Sequence, residues 1–540
     1  MTIAIDFGTS NTVVSRWNPG TQKPETLTLP GLSIQQVDNP AVIPSLLYVE
    51  SASAEKIVAG QTVRDRGLDG RSGSRFFRGF KRGIGTEIQG FLPELDGHTI
   101  TFEQVGEWFL NSVAEQVRSA GWLDGQGGSE LILTVPVDSF EVYRSWLSQA
   151  IASTALGQVE RLRLLDEPTA AALSYDGSGD RELMLVIDFG GGTLDISLVK
   201  IDNTKASRGT AQPLGFLMRW GNEDMNQDAQ VAQTAQVLAK AGINLGGTDI
   251  DNWLMDFFVE KQGVTPSPLI SRLVERVKLK LSQNDTASEV FFDDETLDSV
   301  ELSLNRQTFS EILESHGFFE QLSDLMEQVL QQGRRHGIDV DDIEGVLLVG
   351  GTSKVPAVQR WLSDYFPEDK ILKNKPLEAI AHGALQLAQG VTVKDFLYHG
   401  YGVRYWNRRD NRHDWHPIIS KGQPYPMMEA VDLTLGASVN NQPRIELVIG
   451  ELGEESGTVE VFFEGDRIVT KQTSGKRSVK ALNDRDGARN LATLDPPGMP
   501  GTDRVRVSFR VDEQRHLRVS VDDLLANERL LDEVTLVQLS

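Results

Sequence analysis

Two stretches of sequence decide the fold: IAIDFGTSNT at residues 3–12 and LVIDFGGGTLD at residues 185–195. Each runs from a short apolar segment, typical of a buried strand, into Asp-Phe-Gly and then into glycine or hydroxyl residues. The two aspartates, Asp6 and Asp188, are 182 positions apart. Repetition of a strand and its turn at this separation indicates an internal duplication.

A strand that ends in such a turn is suited to binding phosphate. Glycines let backbone N–H groups approach phosphate oxygens, threonine hydroxyls add donors, and a strand-end carboxylate can hold a hydrated Mg²⁺. A single Asp-Phe-Gly is weak evidence, because a glycine after a strand is usually only a turn. The pair gains weight from a third glycine loop, LLVGGTSKVP at 347–356. Neither a P-loop motif nor a G-x-G-x-x-G opening a helix occurs, which argues against those two nucleotide folds.

Composition limits the function classes. The chain has 540 residues, which at roughly 150 residues per domain predicts three to four compact units. Its 77 acidic and 53 basic residues give a net charge of −24, which repels a nucleic-acid backbone. The sequence contains no cysteine, so disulfides and thiolate metal sites are excluded. Because it shows neither a long apolar run nor a leader, we expect a cytoplasmic protein that binds no nucleic acid and no membrane.

Hydrophobic periodicity changes near residue 390. Before that point, short apolar runs such as 183–187 alternate with helical segments such as 105–118, which predicts an α/β architecture. After it, apolar and polar residues alternate, as in 505–511, which predicts antiparallel strands of a β-sandwich. The polar, glutamine-rich stretch 203–240 is interpreted as a surface insertion that is partly helical near its end.

Further motifs follow in a characteristic order: FKRGIG at 80–85, LTVPVDSFEVYR at 133–144, LLDEPTAAALSY at 164–175, LGGTDIDN at 245–252, ERVKLKLS at 275–282, VGGTSKVP at 349–356 and EAIAHGA at 378–384. Together with the two glycine hairpins, they resemble the 70-kDa heat-shock chaperone family. The ATPase domain of that family belongs to the actin and sugar-kinase superfamily. In the tail, VEVFFEGDR, LDPPGMPG and VSFRVDEQRHLRVSVDD resemble the family's substrate-binding sandwich, so the resemblance covers nearly the whole chain.

This resemblance implies an α/β actin-like two-lobed ATPase domain followed by an all-β sandwich domain. We expect the following boundaries: the nucleotide-binding domain at 1–390, with lobe I at about 1–184 and 365–390 and lobe II at about 185–364, the linker at 391–398, and the substrate-binding sandwich at 399–540. The chain stops where typical members continue into a helical lid, so the resemblance predicts a lidless sandwich and faster client release.

The resemblance also implies roles for individual residues, with ATP or ADP and Mg²⁺ as cofactors. Lys81 would point its ammonium group at the γ-phosphate, while Asp6 and Asp188 would position Mg²⁺ through its bound waters. Glu167 would hold further water near the metal, and Thr193 and Asp195 would orient the nucleophile. The implied nucleotide contacts are Asp6, Gly8, Thr9, Ser10, Asn11, Gly190, Gly191, Gly192, Gly246, Gly247, Glu275, Lys278, Ser282, Gly350, Gly351 and Thr352.

Two positions depart from the family at the adenine end of the site. Leu279 stands where the family usually has an arginine that stacks on adenine, and Lys354 replaces the arginine of the third glycine loop. Loss of a guanidinium plane removes stacking and cation–π energy of roughly 0.5–2 kcal/mol. We therefore expect weaker nucleotide binding than in typical relatives.

Two further matches concern coupling between domains. Pro136 and Arg144 match the family's proline switch and its arginine, which relay the nucleotide state. The connector 391–398 is the candidate for the element that carries this signal. The implied partners are unfolded or extended polypeptide clients, a J-domain co-chaperone and a nucleotide exchange factor, and we expect a monomer.

The function predicted first is an ATP-dependent chaperone whose hydrolysis controls client binding by a lidless sandwich. A low-turnover nucleotide-binding holdase, or a relative that acts as an exchange factor, is the alternative that Leu279 and Lys354 motivate. A sugar kinase of the same superfamily is disfavoured by the sandwich and by the VPVDSFEVYR match.

Overall fold

The computed structural model describes the chain except for residues 1, 36–38, 72, 87–91, 123–128, 137–140, 176–181, 203–233, 293–298, 390–391, 394–396, 398, 408–411, 421–422, 424, 453–458, 465–466, 473–478, 484–488, 513–514 and 540. The chain forms two compact units, fewer than the three to four that its length predicts, because the first unit is much larger than an average domain. The first contains residues up to 211, residues 216–393 and residues 459–471, and the second contains 394–458 and 472–540 together with 212–215.

The described helices are α1 (Gln61–Asp65), α2 (Phe102–Ser119), α3 (Glu141–Ser153), α4 (Glu167–Tyr175), α5 (Gly247–Gln262), α6 (Pro268–Leu281), α7 (Arg306–Ser315), α8 (Phe318–Arg335), α9 (Pro356–Ser363) and α10 (Ala379–Ala384). None of these helices combines the length and hydropathy that a bilayer crossing requires.

The strands in the part of the chain up to residue 393 are β1 (Thr2–Phe7), β2 (Asn11–Asn18), β3 (Lys23–Thr26), β4 (Ile43–Pro44), β5 (Leu46–Ser51), β6 (Lys56–Ala59), β7 (Phe76–Arg78), β8 (Glu94–Leu95), β9 (His98–Thr99), β10 (Glu130–Val135), β11 (Arg161–Asp166), β12 (Leu183–Phe189), β13 (Leu194–Asp202), β14 (Thr234–Ile243), β15 (Thr286–Phe292), β16 (Ser299–Asn305), β17 (Gly345–Val349), β18 (Ile371–Leu372) and β19 (Thr392–Val393).

The remaining strands are β20 (Gly400–Asn407), β21 (Arg412–Ile419), β22 (Val431–Gly436), β23 (Gln442–Leu447), β24 (Ile449–Leu452), β25 (Val459–Glu464), β26 (Arg467–Gln472), β27 (Val479–Ala481), β28 (Arg489–Gly498), β29 (Asp503–Val511), β30 (His516–Asp523) and β31 (Glu528–Gln538).

Two six-stranded sheets of the first unit have corresponding orders. One runs β11-β10-β1-β2-β3, with β4 beside β2, and the other runs β18-β17-β12-β13-β14-β19. In each sheet an antiparallel hairpin, β1–β2 or β12–β13, lies beside a parallel strand, β10 or β17. The duplication expected from the two Asp-Phe-Gly stretches is therefore visible in the sheet order. This α/β architecture is the predicted fold class.

The sheets are buried by helices on their faces. All seven residues of β12 and all five of β17 are buried, as their continuous apolar runs predict. Helix α2 begins at a capping box in which Thr101 and Gln104 bond each other's backbone N–H groups. It then buries Val105, Phe109 and Val113 against the first sheet, which confirms the helix predicted at 105–118.

The prediction for 203–240 is wrong in its described part. Residues 203–233 lie outside the described residues, but Thr234–Ile243 forms β14, which pairs antiparallel with β13. Ala235, Ala239 and Lys240 are buried, so this segment is neither helical nor on the surface. Its alanine, glutamine and lysine residues favour a helix, yet pairing with β13 and packing against α8 override that local preference.

The second unit is a β-structure, as predicted. Its sheets run β21-β20-β24-β27 and β22-β29-β30-β31, with β23 paired to β28. Along β30 every second residue is buried, and Val507, Phe509 and Val519 lie in one apolar core. This alternation gives each strand one face toward the core and one toward water.

The predicted linker 391–398 divides between the two units where it is described. Thr392 and Val393 form β19, which pairs in parallel with the start of β14. Leu397 is fully buried in the core of the second unit, and its N–H donates to the carbonyl oxygen of Gln423 at 2.9 Å. Residues 394–396 are outside the described residues.

Candidate functional site

Acidic side chains gather where strands of the two sheets end. Asp6 is near the end of β1, and Asp188 is near the end of β12, where it lies opposite Asp195 of β13. Glu167 is the first residue of α4, which follows β11 directly. The hydroxyl of Thr134, on the neighbouring strand β10, donates to Asp6 Oδ1 at 2.9 Å. The hairpin duplication thus places two carboxylates at equivalent positions of two sheets.

The pKa values of these carboxyl groups show that they share one desolvated region. Burial, followed by the charge of Glu167, raises the pKa of Asp6 to about 7. Burial also raises the pKa of Asp188 well above its usual value, and the charges of Glu167, Asp195 and Asp6 raise it further. Carboxylates crowded in this way carry more negative charge than their surroundings compensate, which favours a bound cation.

Lys81 supplies the positive charge within this group. It lies in a 3₁₀ turn, Phe80–Gly83, and its Nζ is 3.2 Å from Glu167 Oε1. The same Nζ lies 5.7 Å from the centre of the Phe7 ring and 5.8 Å from that of Tyr143. Burial lowers the pKa of Lys81, but the negative charge of Glu167 is the main influence that raises it, and the net effect is an increase. The side chain is therefore an ammonium ion. Burial raises the pKa of Tyr143 to about 12, which keeps the phenol protonated.

The two glycine hairpins come into contact with each other. A Cβ added at Gly191 would lie 1.8 Å from Ser10 Oγ, and one added at Gly192 would lie 2.8 Å from Thr9 Oγ1. Within the hairpins, a Cβ at Gly8 would lie 2.1 Å from the carbonyl oxygen of Asn11. These glycines therefore permit a backbone approach that any side chain would prevent.

The other glycine positions of the prediction lie beside the second hairpin. The N–H of Gly247 donates to the carbonyl oxygen of Gly190 at 3.1 Å, and Thr352 Oγ1 donates to the same oxygen at 2.8 Å. Gly246 contacts the backbone of Gly191. Gly350 has a φ of 79°, and a Cβ there would lie 2.3 Å from the carbonyl oxygen of Phe189. Gly351 begins the 3₁₀ turn Gly351–Lys354. Within the second hairpin, the N–H of Gly190 donates to the carbonyl oxygen of Thr193 at 3.0 Å.

Polar residues of α6 form bonds within the protein. Lys278 Nζ is 2.7 Å from Asp251 Oδ1 and donates to the carbonyl oxygen of Gly247 at 2.8 Å. Glu275 binds Arg64 of α1 at 3.0 Å, and Ser282 Oγ donates to the carbonyl oxygen of Lys278 at 3.3 Å. Lys278 is therefore close to the glycine loops, whereas Glu275 joins α6 to α1.

The two positions that depart from the family differ in exposure. Leu279 is 52% exposed on α6. Lys354 is directed to Asn39, whose Oδ1 accepts a hydrogen bond from its Nζ at 2.6 Å, and burial lowers the pKa of Lys354. The amine of Lys354 is thus already engaged within the protein.

A polar cavity of about 60 Å³ opens beside the first glycine hairpin. Thr9, Ser10, Arg78, Asp251 and Glu275 are among the residues that line it. Burial raises the pKa of Asp251 to about 6, while Arg64 holds the pKa of Glu275 below its usual range against the opposing effect of burial. The cavity therefore offers hydroxyl groups and both signs of charge to a polar ligand.

The carboxylates of the site suit a divalent cation that keeps its bound waters. Among the described residues, no three acidic or imidazole groups are arranged to bind a metal ion themselves. Mg²⁺ keeps several of its waters, so carboxylates at a distance can hold it through those waters. The excess negative charge at Asp6, Asp188 and Glu167 is the feature that such an ion would compensate.

Three residues of the site were not singled out from the sequence. Thr134 bonds Asp6, Tyr143 lies beside Lys81, and the buried Arg82 binds Gly192 and Asp249. Each belongs to a quoted motif, but neither periodicity nor composition distinguishes a buried arginine in a basic stretch from an exposed one. Of the coupling residues, Pro136 follows β10 directly, and Arg144 is buried in α3.

Comparison with known proteins finds similarity over most of the chain. The family model described as Hsp70 protein matches residues 91–210 and 232–398, and residues 211–231, which it omits, fall within the stretch interpreted as an insertion. The chain is 28% identical to the chaperone protein dnaK1 of a Synechocystis strain over 74% of its own length and 51% of that protein's. It is 24% identical to chaperone protein DnaK of Thermosipho africanus and of Thermotoga maritima over 97% of its length and 78% of theirs. The chain thus spans about half the length of the Synechocystis relative.

Proposed function

Because the chain belongs to the Hsp70 protein family, we propose that it is an ATP-dependent chaperone that hydrolyses ATP to control client binding by its sandwich. The observation that carries the proposal is Lys81, which lies 3.2 Å from Glu167 among the carboxylates of two duplicated glycine hairpins. One ammonium group and several acids at facing glycine turns suit a triphosphate bound with a hydrated cation.

The backbone of the two glycine hairpins would bind the phosphates. The turns Gly8–Asn11 and Gly190–Thr193 can present N–H groups and the hydroxyls of Thr9, Ser10 and Thr193 to the phosphates. When bound, Mg²⁺ would neutralise phosphate charge, and Asp6 and Asp188 would hold its waters. Lys278, which bonds Gly247, would contact the ribose or base end of the nucleotide.

Hydrolysis is accelerated by a positive charge placed where negative charge develops in the transition state. The side chain of Lys81 is only 10% exposed and its amine is charged, so it can stabilise negative charge on the transferring oxygens with little screening by solvent. Glu167 holds the ammonium group in place, and Asp195 lies opposite Asp188 where it can orient the attacking water. The phenol of Tyr143 lines the apolar side of Lys81 and helps to exclude other waters.

Coupling to clients would run through Pro136, Arg144 and the strand β19. In this proposal unfolded polypeptide binds the sandwich by main-chain hydrogen bonds and apolar pockets. A J-domain co-chaperone would accelerate hydrolysis, and an exchange factor would release ADP.

Lys81→Ala tests the proposed chemistry. We expect single-turnover hydrolysis of ATP to fall at least tenfold, because a positioned charge is lost, while calorimetry shows little change in binding of magnesium nucleotide. Lys56→Ala is the matched control, because Lys56 is an exposed lysine paired with Glu50. Hydrolysis at the unaltered rate in Lys81→Ala would contradict the assigned mechanism.

A nucleotide-binding holdase with low turnover is the second candidate. It is favoured by the engagement of Lys354 with Asn39 and by Leu279. Turnover measured with and without an unfolded peptide and a J-domain protein separates the two functions. Stimulation by these partners supports the chaperone cycle, whereas unstimulated, negligible turnover with tight peptide binding supports the holdase.

A further inference from the structure

Arg82 is a buried cation that connects three elements of the site. It directly follows Lys81, and only 1% of its side chain is exposed. Its Nε donates to the carbonyl oxygen of Gly192 at 3.0 Å, and its Nη2 bonds the same oxygen. Its Nη2 also lies 2.6 Å from Asp249 Oδ2, and its Nη1 lies 3.3 Å from Asp249 Oδ1. The guanidinium group thus joins the lysine turn to the second glycine hairpin and to α5.

Asp249 extends this connection to the start of α5. Its Oδ2 accepts the N–H of Gly246 at 2.8 Å, and Gly246 in turn contacts Gly191. A carboxylate in the first turn of a helix is also favoured by the helix dipole. Gly191, Gly192 and Gly246 are therefore joined through Arg82 and Asp249.

The side chains of Arg82 and Thr9 together leave room only for glycine at position 192. A Cβ at Gly192 would lie 2.8 Å from Arg82 Nε, so any larger residue would displace the guanidinium group. The peptide bond between Gly192 and Thr193 is planar and trans, so its carbonyl and its N–H point in opposite directions. By holding the carbonyl of Gly192, Arg82 directs the N–H of Thr193 away from itself.

We propose that Arg82 is a positioning residue for the hydrolysis inferred above, and that it sets the second glycine hairpin relative to Lys81. This role rests on the proposed ATPase function. Arginine suits this role because its planar guanidinium holds two N–H groups on the carbonyl oxygen of Gly192 and two on the carboxylate of Asp249 in one fixed geometry, whereas a lysine ammonium is a compact point charge on a flexible stem.

The first test compares Arg82→Lys with the unaltered protein in single-turnover hydrolysis. We expect the rate per folded molecule to fall about tenfold or more, with affinity for MgATP changing less than about threefold, since positioning matters most in the transition state. Arg66→Lys is the control, because Arg66 lies in the same basic stretch and is 49% exposed. An unaltered rate in Arg82→Lys would overturn the proposal.

The second test separates positioning from loss of folding. In Arg82→Ala, millimolar guanidinium should restore hydrolysis, and it should leave the rate of Arg66→Ala unchanged. Hydrogen exchange of the amides at 190–193 should be at least tenfold faster in Arg82→Ala than in the unaltered protein, with or without turnover. Equal exchange in both proteins would overturn the role of Arg82, whereas absence of hydrolysis in the unaltered protein would contradict only the ATPase function.

Discussion

The acids of the site make the stability of the metal-free protein depend on pH. Asp6 has a pKa near 7 in the folded chain, against an ordinary value of 3.8. Between these values the folded state binds a proton that the unfolded state does not, so stability is lost as the pH rises toward and through 7, by up to about 1.4 kcal/mol per pH unit. Burial and the charge of Glu167 cause this loss.

Asp6→Asn removes that charge and tests the pH dependence. In metal-free buffer we expect it to raise the melting temperature by a few degrees at pH 8 and by clearly less at pH 5, where folded Asp6 is still protonated and only the first part of the loss has occurred. Asp364→Asn, at an exposed position after α9, is the control. A gain of equal size at both pH values would show that the charge of Asp6 is not responsible.

A repeated sequence pattern and a motif resemblance were enough to single out the carboxylates and the lysine of the candidate site. Asp6 and Asp188 could be found because a repeated strand-to-glycine pattern marks strand ends, and Lys81 because its loop resembles a known motif. Arg82 could not be separated from its exposed neighbour Arg66, because its burial depends on the second hairpin, more than 100 residues away in the sequence. Contacts of that range are set by packing and leave no local signal.

Helix α2 supports the site through an aromatic cluster. The ring of Phe109 stacks on Phe7 with centres 5.8 Å apart and meets the edge of Phe80 at 5.7 Å. Phe7 follows Asp6, and Phe80 precedes Lys81. One helix therefore holds both the first hairpin and the lysine turn.

Truncation of this ring should affect both stability and rate. Phe109→Ala should destabilise the first unit by about 3–5 kcal/mol, because it removes a fully buried ring, and should also lower hydrolysis per folded molecule. Val117→Ala, a buried change in the last turn of α2 that leaves the three stacked rings in place, should destabilise the unit and leave that rate unaltered. Denaturant unfolding and single-turnover kinetics measure the two effects. An unaltered rate per folded molecule in Phe109→Ala would show that the cluster only stabilises the fold.

Strands and helices with strong periodicity were predictable, and β14 was not. The runs that became β12 and β17 are continuously apolar, so burial on both faces could be expected. In β14 the small residues Ala235, Ala239 and Ala241 alternate weakly, and most of its residues form helices well. Its strand conformation comes from the partner β13, and the side chain of Gln332 on α8 bonds both backbone groups of Lys240. Tertiary context therefore decided this element.

At the scale of the whole molecule, duplication supplies the two similar sheets between which the proposed nucleotide site lies. Each sheet contributes a hairpin, a strand-end aspartate and a parallel neighbour in the same order. The order of the second sheet continues by one strand, β19, beyond that of the first. This strand is also the start of the connection to the sandwich. A change in the second sheet can therefore act directly on that connection.

Pairing of β19 with β14 gives a test of communication along the chain. Thr392 lies opposite Thr234 and Val393 opposite Ala235, and alternate N–H groups of a strand face its partner. The double change Thr392→Pro/Val393→Pro removes the N–H groups of both residues, including the one that faces β14. We expect basal hydrolysis to stay within about twofold, while stimulation by an unfolded peptide is lost because the connection no longer joins the sheet. The exchange Thr392→Val/Val393→Thr keeps both N–H groups and should retain stimulation. Full stimulation in the double-proline variant, measured as steady-state phosphate release with saturating peptide, would show that the signal reaches the ATPase unit without this strand.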